Sequence, residues 1–332
     1  MNTPHIIAEA CTNHNGSLTK AKELVDIAIA AVADSVKFQV INPEGLYLLR
    51  VRDEKGEWVD NGVVAQRRAA MLSDDDYRQL AEYARCKNIP LSGSVFDRKS
   101  LDLLCELDAP YLKIASTDCN NYPFLAQVAE RGRRIVLATG MASLGEVERA
   151  VTTITGAGNR DIVLLHCVSV YPCPLELTNL GFITTLRAAF GLPVGFSDHT
   201  GGSHAAAMAV ALGAEWLEKH YTWDRTAPGF DHANSLDPQQ FAAYVADVHA
   251  AAAAVQRPVA KVSEKEAGVR ARARRALHAG RDLAPGETIT EADVLIVRPE
   301  GPLAPGDRGL VVGRKIKRAV SRFEPLSLEL LD

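Results

Sequence analysis

Short apolar runs recur along the chain, and longer segments with helical spacing separate them. "HIIAEA" begins at residue 5, "SVKFQV" at 35, "IPLSGSVF" at 89 and "PYLKIAS" at 110. "RIVLATG" follows at 134, "DIVLLHC" at 161, "PVGFSD" at 193 and "EWLEKHYT" at 215. Runs this short and this apolar read as buried strands. Segments such as "SLTKAKELVDIAIAAVA" and "DDDYRQLAEYARCKN" between them read as helices, and a last helix is predicted at about 237–255. Eight β/α units predict an α/β fold, a closed (β/α)8 TIM barrel over residues 1–256. A doubly wound open sheet competes, but it has no need of eight units.

Two segments break the rhythm. Residues 41–72 leave the second strand at the end where such barrels do chemistry, and they read as a substrate-covering loop. Residues 257–275 are basic, lack a strong apolar period and read as a linker. Residues 276–332 carry short apolar pieces and two Pro-Gly turns, and they read as a small β-rich domain with a marginal core.

Composition narrows the class. The 332 residues are 47% hydrophobic and 23% charged, with a formal net charge of -4, so neither nucleic acid nor another polyanion is implied as a partner. No apolar run reaches the length of a membrane span, and "MNTPHIIAEA" lacks a signal-peptide shape. The six cysteines are scattered without a CxxC pair, which disfavours structural zinc and makes a cytoplasmic setting the expectation.

Polar residues then stand out against the strands. Glu9 ends the first; Lys37 and Gln39 lie on the second; Ser94 ends the third; Lys113 and Ser116 end the fourth. Thr139 ends the fifth, His166 and Ser169 the sixth, His199 the seventh and His220 the eighth. Polar groups at C-terminal strand ends are the pattern of a TIM-barrel active site, although loops there are polar in any case. Strands seven and eight are neighbours, so His199 and His220 meet at the rim. They either hold a first-row divalent ion or are hydrogen-bonded core histidines. Lys37 and Lys113, emerging inside a barrel mouth, either bind an anion or form a Schiff base. A metal beside them favours the anion. There is no Walker A loop and no GxGxxG after a strand, which disfavours nucleotides.

"AEACTNHNGS", "VKFQ", "KIAS", "ATGMAS", "HCVSVYPCPLE", "GFSDHTGG", "EKHYT" and "PGFDHANSLDPQQF", in this order, resemble the sialic acid (N-acetylneuraminate) synthase family. "DLAPGETITEADVLIVRP" resembles its C-terminal antifreeze-like (SAF) domain. The resemblance implies a metal-dependent condensation of phosphoenolpyruvate with an open-chain N-acylated hexose such as N-acetylmannosamine, releasing phosphate by C–O cleavage. It implies Mn2+ foremost, with Mg2+ or Co2+ as alternatives, held by His199 and His220. Lys37, Ser94, Lys113, Ser116 and Ser197 match positions that hold phosphoenolpyruvate, and Ser169 joins them at a strand end. Glu9 and Gln39 match polar groups near the metal, its waters and the sugar, while Tyr171 and Asp231 match positions facing the sugar. Arg298 matches the antifreeze-domain arginine that reaches the N-acyl group from the partner subunit of a domain-swapped homodimer.

The chain also departs from that pattern. Thr117-Asp118 stands where the family commonly has Gly-Glu, so Asp118 would carry a catalytic proton from one methylene further back. Ala138 replaces a common serine, "RPEGPLAPGD" lacks the usual glycines, and "AQRRAAMLS" is unusually basic. The anion and metal parts look intact and the sugar-facing parts altered. Two alternatives therefore stand beside the synthase: a related phosphoenolpyruvate-dependent aldol synthase for a different or phosphorylated aldose, and a catalytically impaired barrel serving as a binding subunit.

Overall fold

The computed structural model describes residues 3–255 and 261–332. The chain divides into two compact units, Met1–Arg257 and Pro258–Asp332. Residues 256–260, where the expected barrel ends and the expected linker begins, lie outside the described residues.

The first unit is a closed barrel of eight parallel strands. They are β1 (His5–Cys11), β2 (Ser35–Gln39), β3 (Leu91–Val95), β4 (Tyr111–Ile114), β5 (Arg134–Ala138), β6 (Ile162–Cys167), β7 (Val194–Asp198) and β8 (Trp216–His220). β1 closes the barrel against β8, with Glu9 beside His220, and against β2, with Glu9 beside Lys37. Strand alternation divides each run into two faces. Ile6, Ala8, Val36, Phe38, Leu112, Ile114, Ile135, Leu137, Leu164, Phe196 and Leu217 pack outward in the large core shared with the helices. Ile7, Tyr111, Val136, Ala138, Val163, Leu165, Cys167 and Trp216 form a separate cluster inside the barrel.

The helices start where the sequence supplies caps. Ser73, Asp97, Ser143 and Asp237 each form a capping box with the residue three positions on. The last barrel helix spans Pro238–Ala254. Among the described residues no helix is long and apolar enough to cross a membrane.

The 41–72 excursion has structure of its own. It contains a short helix (Pro43–Leu46), an antiparallel hairpin (Arg50–Arg52 with Trp58–Asp60) and a helix (Gly62–Ala69).

In the second unit, strands Ala276–Ala279 and Val294–Val297 pair antiparallel. A core including Leu277, Leu283, Ile289, Val311, Ile316, Val320 and Leu326 belongs to this unit alone. A helix, Glu264–Ala273, occupies part of the segment expected to be linker. It buries no residue, so it has no apolar stripe to announce it. Ser263 caps it, glutamates open it and arginines close it, in the sense that the helix dipole favours, and Arg270 Nε donates to Glu300 Oε1 at 2.8 Å.

Candidate active site

A cavity of about 480 Å³ sits at the C-terminal ends of the barrel strands. Its lining includes Glu9, Lys37, Gln39, Ser94, Lys113, Ser116, Ser169, Tyr171, Ser197, His199, His220 and Asp231. The structure thus brings together nearly every barrel residue singled out from the sequence. A larger cavity, about 630 Å³, lies at the opposite end beside His5, Arg187 and Trp216. There the Arg187 guanidinium is occupied by the carbonyls of Leu212 and Gly213, and no set of converging reactive groups is seen among the described residues.

One layer of the active cavity is ionic. Lys37 Nζ contacts the Glu9 carboxylate, lies 3.6 Å from Glu218 Oε2 and donates to Ser94 Oγ at 3.0 Å. Lys113 Nζ lies 3.9 Å from Glu218 Oε1 and donates to the Ile114 carbonyl at 3.0 Å. Ser197 Oγ donates to Glu218 at 3.2 Å. All four charged groups are buried. Burial pushes the Glu9 carboxyl up, with Lys37 pulling against it. Burial opposes charge on Glu218, but the Lys113 and Lys37 ammoniums outweigh it and hold this carboxyl down. Burial likewise opposes charge on Lys37, yet Glu218 and Glu9 hold its pKa up. Lys113, with weaker partners, is pushed down by burial.

Next to this layer lies a cradle of hydroxyls. Gly140 N donates to Ser116 Oγ at 3.0 Å. A Cβ on Gly140 would stand 2.6 Å from Ser169 Oγ and 2.7 Å from Ser116 Oγ, so only glycine lets the ends of β4 and β6 draw these hydroxyls together.

The histidines form the other side. The rings of His199 and His220 lie edge to face with centroids 5.3 Å apart, and Tyr171 stacks on His199 at 4.1 Å. His199 Nδ1 lies 2.8 Å from the Val168 carbonyl, and His220 Nδ1 lies 3.0 Å from Cys11 Sγ, so each ring keeps Nε2 for another partner. Burial, reinforced by the neighbouring His199, keeps His220 neutral. Ligand atoms of Cys11, His220 and Asp231 lie within 4.8 Å of one another, and Asp231 Oδ2 is buried without a hydrogen-bond partner. The imidazole, carboxylate and thiol of this cluster, with the His199 ring beside His220, offer donors of the kind that hold a divalent first-row ion. Burial pushes the Cys11 thiol well up.

Two expectations, on Asp118 and His166, are revised. Asp118 is not in the cavity wall. Its carboxylate turns into the short helix Ser116–Asp118, accepting from Thr117 Oγ1 at 3.1 Å and Asn121 Nδ2 at 3.0 Å. The shorter side chain reaches its own turn first. His166 faces outward, stacked on Phe196 and bonded to the Thr178 carbonyl at 2.7 Å. Lys219 also faces outward, 3.2 Å from Asp198 Oδ2. Arg298 is exposed in the second unit. Glu218, absent from the residues singled out, is central. Its signal was alternation: Trp216, Glu218 and His220 share the inner face of β8.

A parallel barrel with cations, hydroxyls and imidazoles converging at its C-terminal rim defines an enzyme of the TIM-barrel class built to hold an anion beside a metal-type donor set. The sequence profile of the NeuB family matches residues 24–260, and that of the SAF domain matches 274–332. The chain belongs to the NeuB family of nonulosonic acid synthases, which condense phosphoenolpyruvate with a sugar. It is 37% identical to the N,N'-diacetyllegionaminic acid synthase of Legionella pneumophila, covering 99% of this chain and 95% of that one. It is 33% identical to the N-acetylneuraminate-9-phosphate synthase of Homo sapiens, over 98% and 92% of the two chains. Among solved structures, the sialic acid synthetase of Leptospira borgpetersenii matches with a TM-score of 0.73 and 34% identity, over 81% of this chain and 90% of that one.

Proposed function

We propose that this enzyme joins phosphoenolpyruvate to the open-chain form of an N-acylated hexose. C3 of phosphoenolpyruvate bonds to the aldehyde carbon of the acceptor. Water adds at C2, and the C2–O bond breaks to release phosphate. Lys37, Lys113 and the hydroxyls of Ser94, Ser116, Ser169 and Ser197 hold the carboxylate and phosphate by charge-assisted hydrogen bonds. Glu9, a buried carboxyl with a raised pKa in contact with Lys37, carries the proton taken from the attacking water. A divalent cation at His199, His220 and Asp231, with Mn2+ foremost and Mg2+ or Co2+ as alternatives, supplies Lewis acidity to the acceptor aldehyde. Gln39 and Tyr171 face the acceptor, and Arg298 is assigned to its N-acyl group. No step is given to Asp118.

The observation that carries this reading is one cavity in which two buried lysines and four serines meet a histidine pair. Two further elements belong to the proposal. The six cysteines are all free, which suits the cytoplasm. The enzyme is a homodimer, which sedimentation would test. The deciding experiment is phosphate release from phosphoenolpyruvate with Mn2+ and a panel of acceptors: N-acetylmannosamine, its 6-phosphate and a 2,4-diacetamido-trideoxyhexose. Release with one of them supports the reading and names the acceptor. No release with any N-acyl hexose overturns it. Arg298→Ala should raise the acceptor KM and leave that of phosphoenolpyruvate unchanged.

A further inference from the structure

The excursion's second helix, Gly62–Ala69, carries adjacent arginines whose surroundings differ. Arg68 is satisfied at the surface, with Nε donating to Glu44 Oε1 at 2.9 Å. Arg67 points the other way. Its guanidinium lies over the Phe230 ring, 3.5 Å from the centroid, and Nη1 donates to Thr12 Oγ1 at 3.3 Å. Its Nε is buried with no hydrogen-bond partner. Phe230 and Asp231 line the cavity, but Arg67 does not.

Beyond Phe230 the segment that Arg67 touches is tied by its own contacts: His232 Nδ1 lies 2.6 Å from Thr222 Oγ1, and Ser235 Oγ donates to the Asp231 carbonyl at 2.7 Å. Between β8 and the helix at Pro238 its only regular element is the short turn His232–Asn234. Asn15 fixes one end, donating to the Pro228 carbonyl at 2.8 Å. Phe230 and Asp231 follow immediately, and what covers them is a residue more than a hundred positions earlier in the chain. A planar cation stacked on an aromatic ring, with one hydrogen bond to the β1 loop, sets both position and orientation.

We propose that Arg67 is a positioning residue for the acceptor: from outside the cavity it fixes the part of the wall that Phe230 and Asp231 form. The basic stretch of the excursion is then part of acceptor selection. This rests on the reading that the Tyr171–Asp231 side of the cavity receives the acceptor. Phosphoenolpyruvate, held by the lysines and serines, should not sense Arg67 when no divalent cation is present.

The test compares full-length wild type with Arg67→Met and Arg67→Lys, using the acceptor that the panel identifies. Arg67→Met should raise the acceptor KM about ten- to thirtyfold, the effect of losing one desolvated cation–π contact, while phosphoenolpyruvate affinity, by calorimetry without divalent cation, stays within about twofold. Arg67→Lys keeps the charge without the planar stack and should recover part of the loss. Adding Phe230→Leu to Arg67→Met should cost less than the product of the two single effects. A second readout needs no turnover: amide exchange of residues 228–236 in the substrate-free proteins should quicken in Arg67→Met. An unchanged acceptor KM, or equal losses for both substrates, overturns the proposal. If wild type releases no phosphate with any acceptor, the functional reading falls, and exchange alone decides whether Arg67 positions this wall. Unchanged exchange in residues 228–236 also refutes it.

Discussion

Lys37 and Lys113 look interchangeable in sequence, yet the structure predicts that replacing each by methionine will have different consequences. Among the described residues Lys37 is the only ammonium in contact with Glu9, and it shares Glu218 with Lys113. Lys37→Met therefore leaves a buried carboxylate without its cation, a change that costs roughly 3–5 kcal/mol of folding stability. The deficit should shrink as pH falls into the carboxylate range, because protonation removes the uncompensated charge. Lys113 donates to a backbone carbonyl and sits 3.9 Å from Glu218, which Lys37 still serves in its absence. Lys113→Met should leave stability within about 1–2 kcal/mol of wild type, the range of most single substitutions. Its loss falls on the anion. One charged hydrogen bond is worth roughly 1.5–3 kcal/mol, or about ten- to 150-fold in the phosphoenolpyruvate Kd. Urea unfolding at pH 8 and pH 5 measures the first effect, and titration calorimetry the second. A Lys37→Met protein as stable as wild type at pH 8 would refute the ionic-layer argument. Normal phosphoenolpyruvate binding by Lys113→Met would refute the anion assignment.

Chelation by EDTA should abolish phosphate release and Mn2+, Co2+ or Mg2+ should restore it; His220→Ala should keep a folded circular-dichroism spectrum while losing Mn2+ binding by calorimetry. His14 is buried, accepts a hydrogen bond from Gly16 N on Nδ1 and has its pKa lowered by burial to about 4. The unfolded chain takes up that proton near the ordinary pKa of 6.5, so this stability is intact above about pH 6.5 and is lost as pH falls toward 4. By pH 4.5 the loss should be about 2–3 kcal/mol by urea unfolding, and His14→Gln should lack this component; equal losses in both proteins would count against it. Gly195→Ala would press a Cβ against the Trp216 carbonyl and Leu165 inside the barrel, at a cost of roughly 1–3 kcal/mol by the same assay.

The barrel was legible because each strand is a short apolar run and each helix carries a partly apolar face. The rim was legible because Lys37, Lys113 and His220 interrupt such runs. What stayed hidden follows from three physical facts. Polar residues on one strand alternate between faces, so Glu218 and Lys219 look alike in sequence while one enters the cavity and the other pairs with Asp198 behind it. The helix Glu264–Ala273 buries nothing, so periodicity is silent about it. Arg67, on the helix Gly62–Ala69, meets Phe230 from more than a hundred positions away, and no local pattern encodes a contact across that separation. Asp118 is the reverse case: sequence position put it at the strand end, and the geometry of its own turn removed it from the wall.

The ionic layer also predicts coupling between the two substrate-side sites. Lys37 and Lys113 are formally balanced by Glu9 and Glu218, and all four are buried, so the empty cavity floor offers an incoming anion little net positive charge. Phosphoenolpyruvate brings both a carboxylate and a phosphate into this low-dielectric space. A divalent cation bound at the proposed site beside His220 and Asp231 would supply the charge that the floor lacks. Affinity for the anion should therefore rise when the cation is present, and by linkage the cation should bind more tightly to the anion-loaded protein by the same factor. Coupling of about 1–3 kcal/mol would appear as a five- to 150-fold change in either Kd. Calorimetry of phosphoenolpyruvate with and without Mn2+, and of Mn2+ with and without phosphoenolpyruvate, closes the cycle. Glu218→Gln removes one negative charge from the floor and should strengthen anion binding in the absence of the cation, narrowing the difference. Equal phosphoenolpyruvate affinity with and without Mn2+ would show that the lysines act unopposed, and the balanced-floor argument would fall.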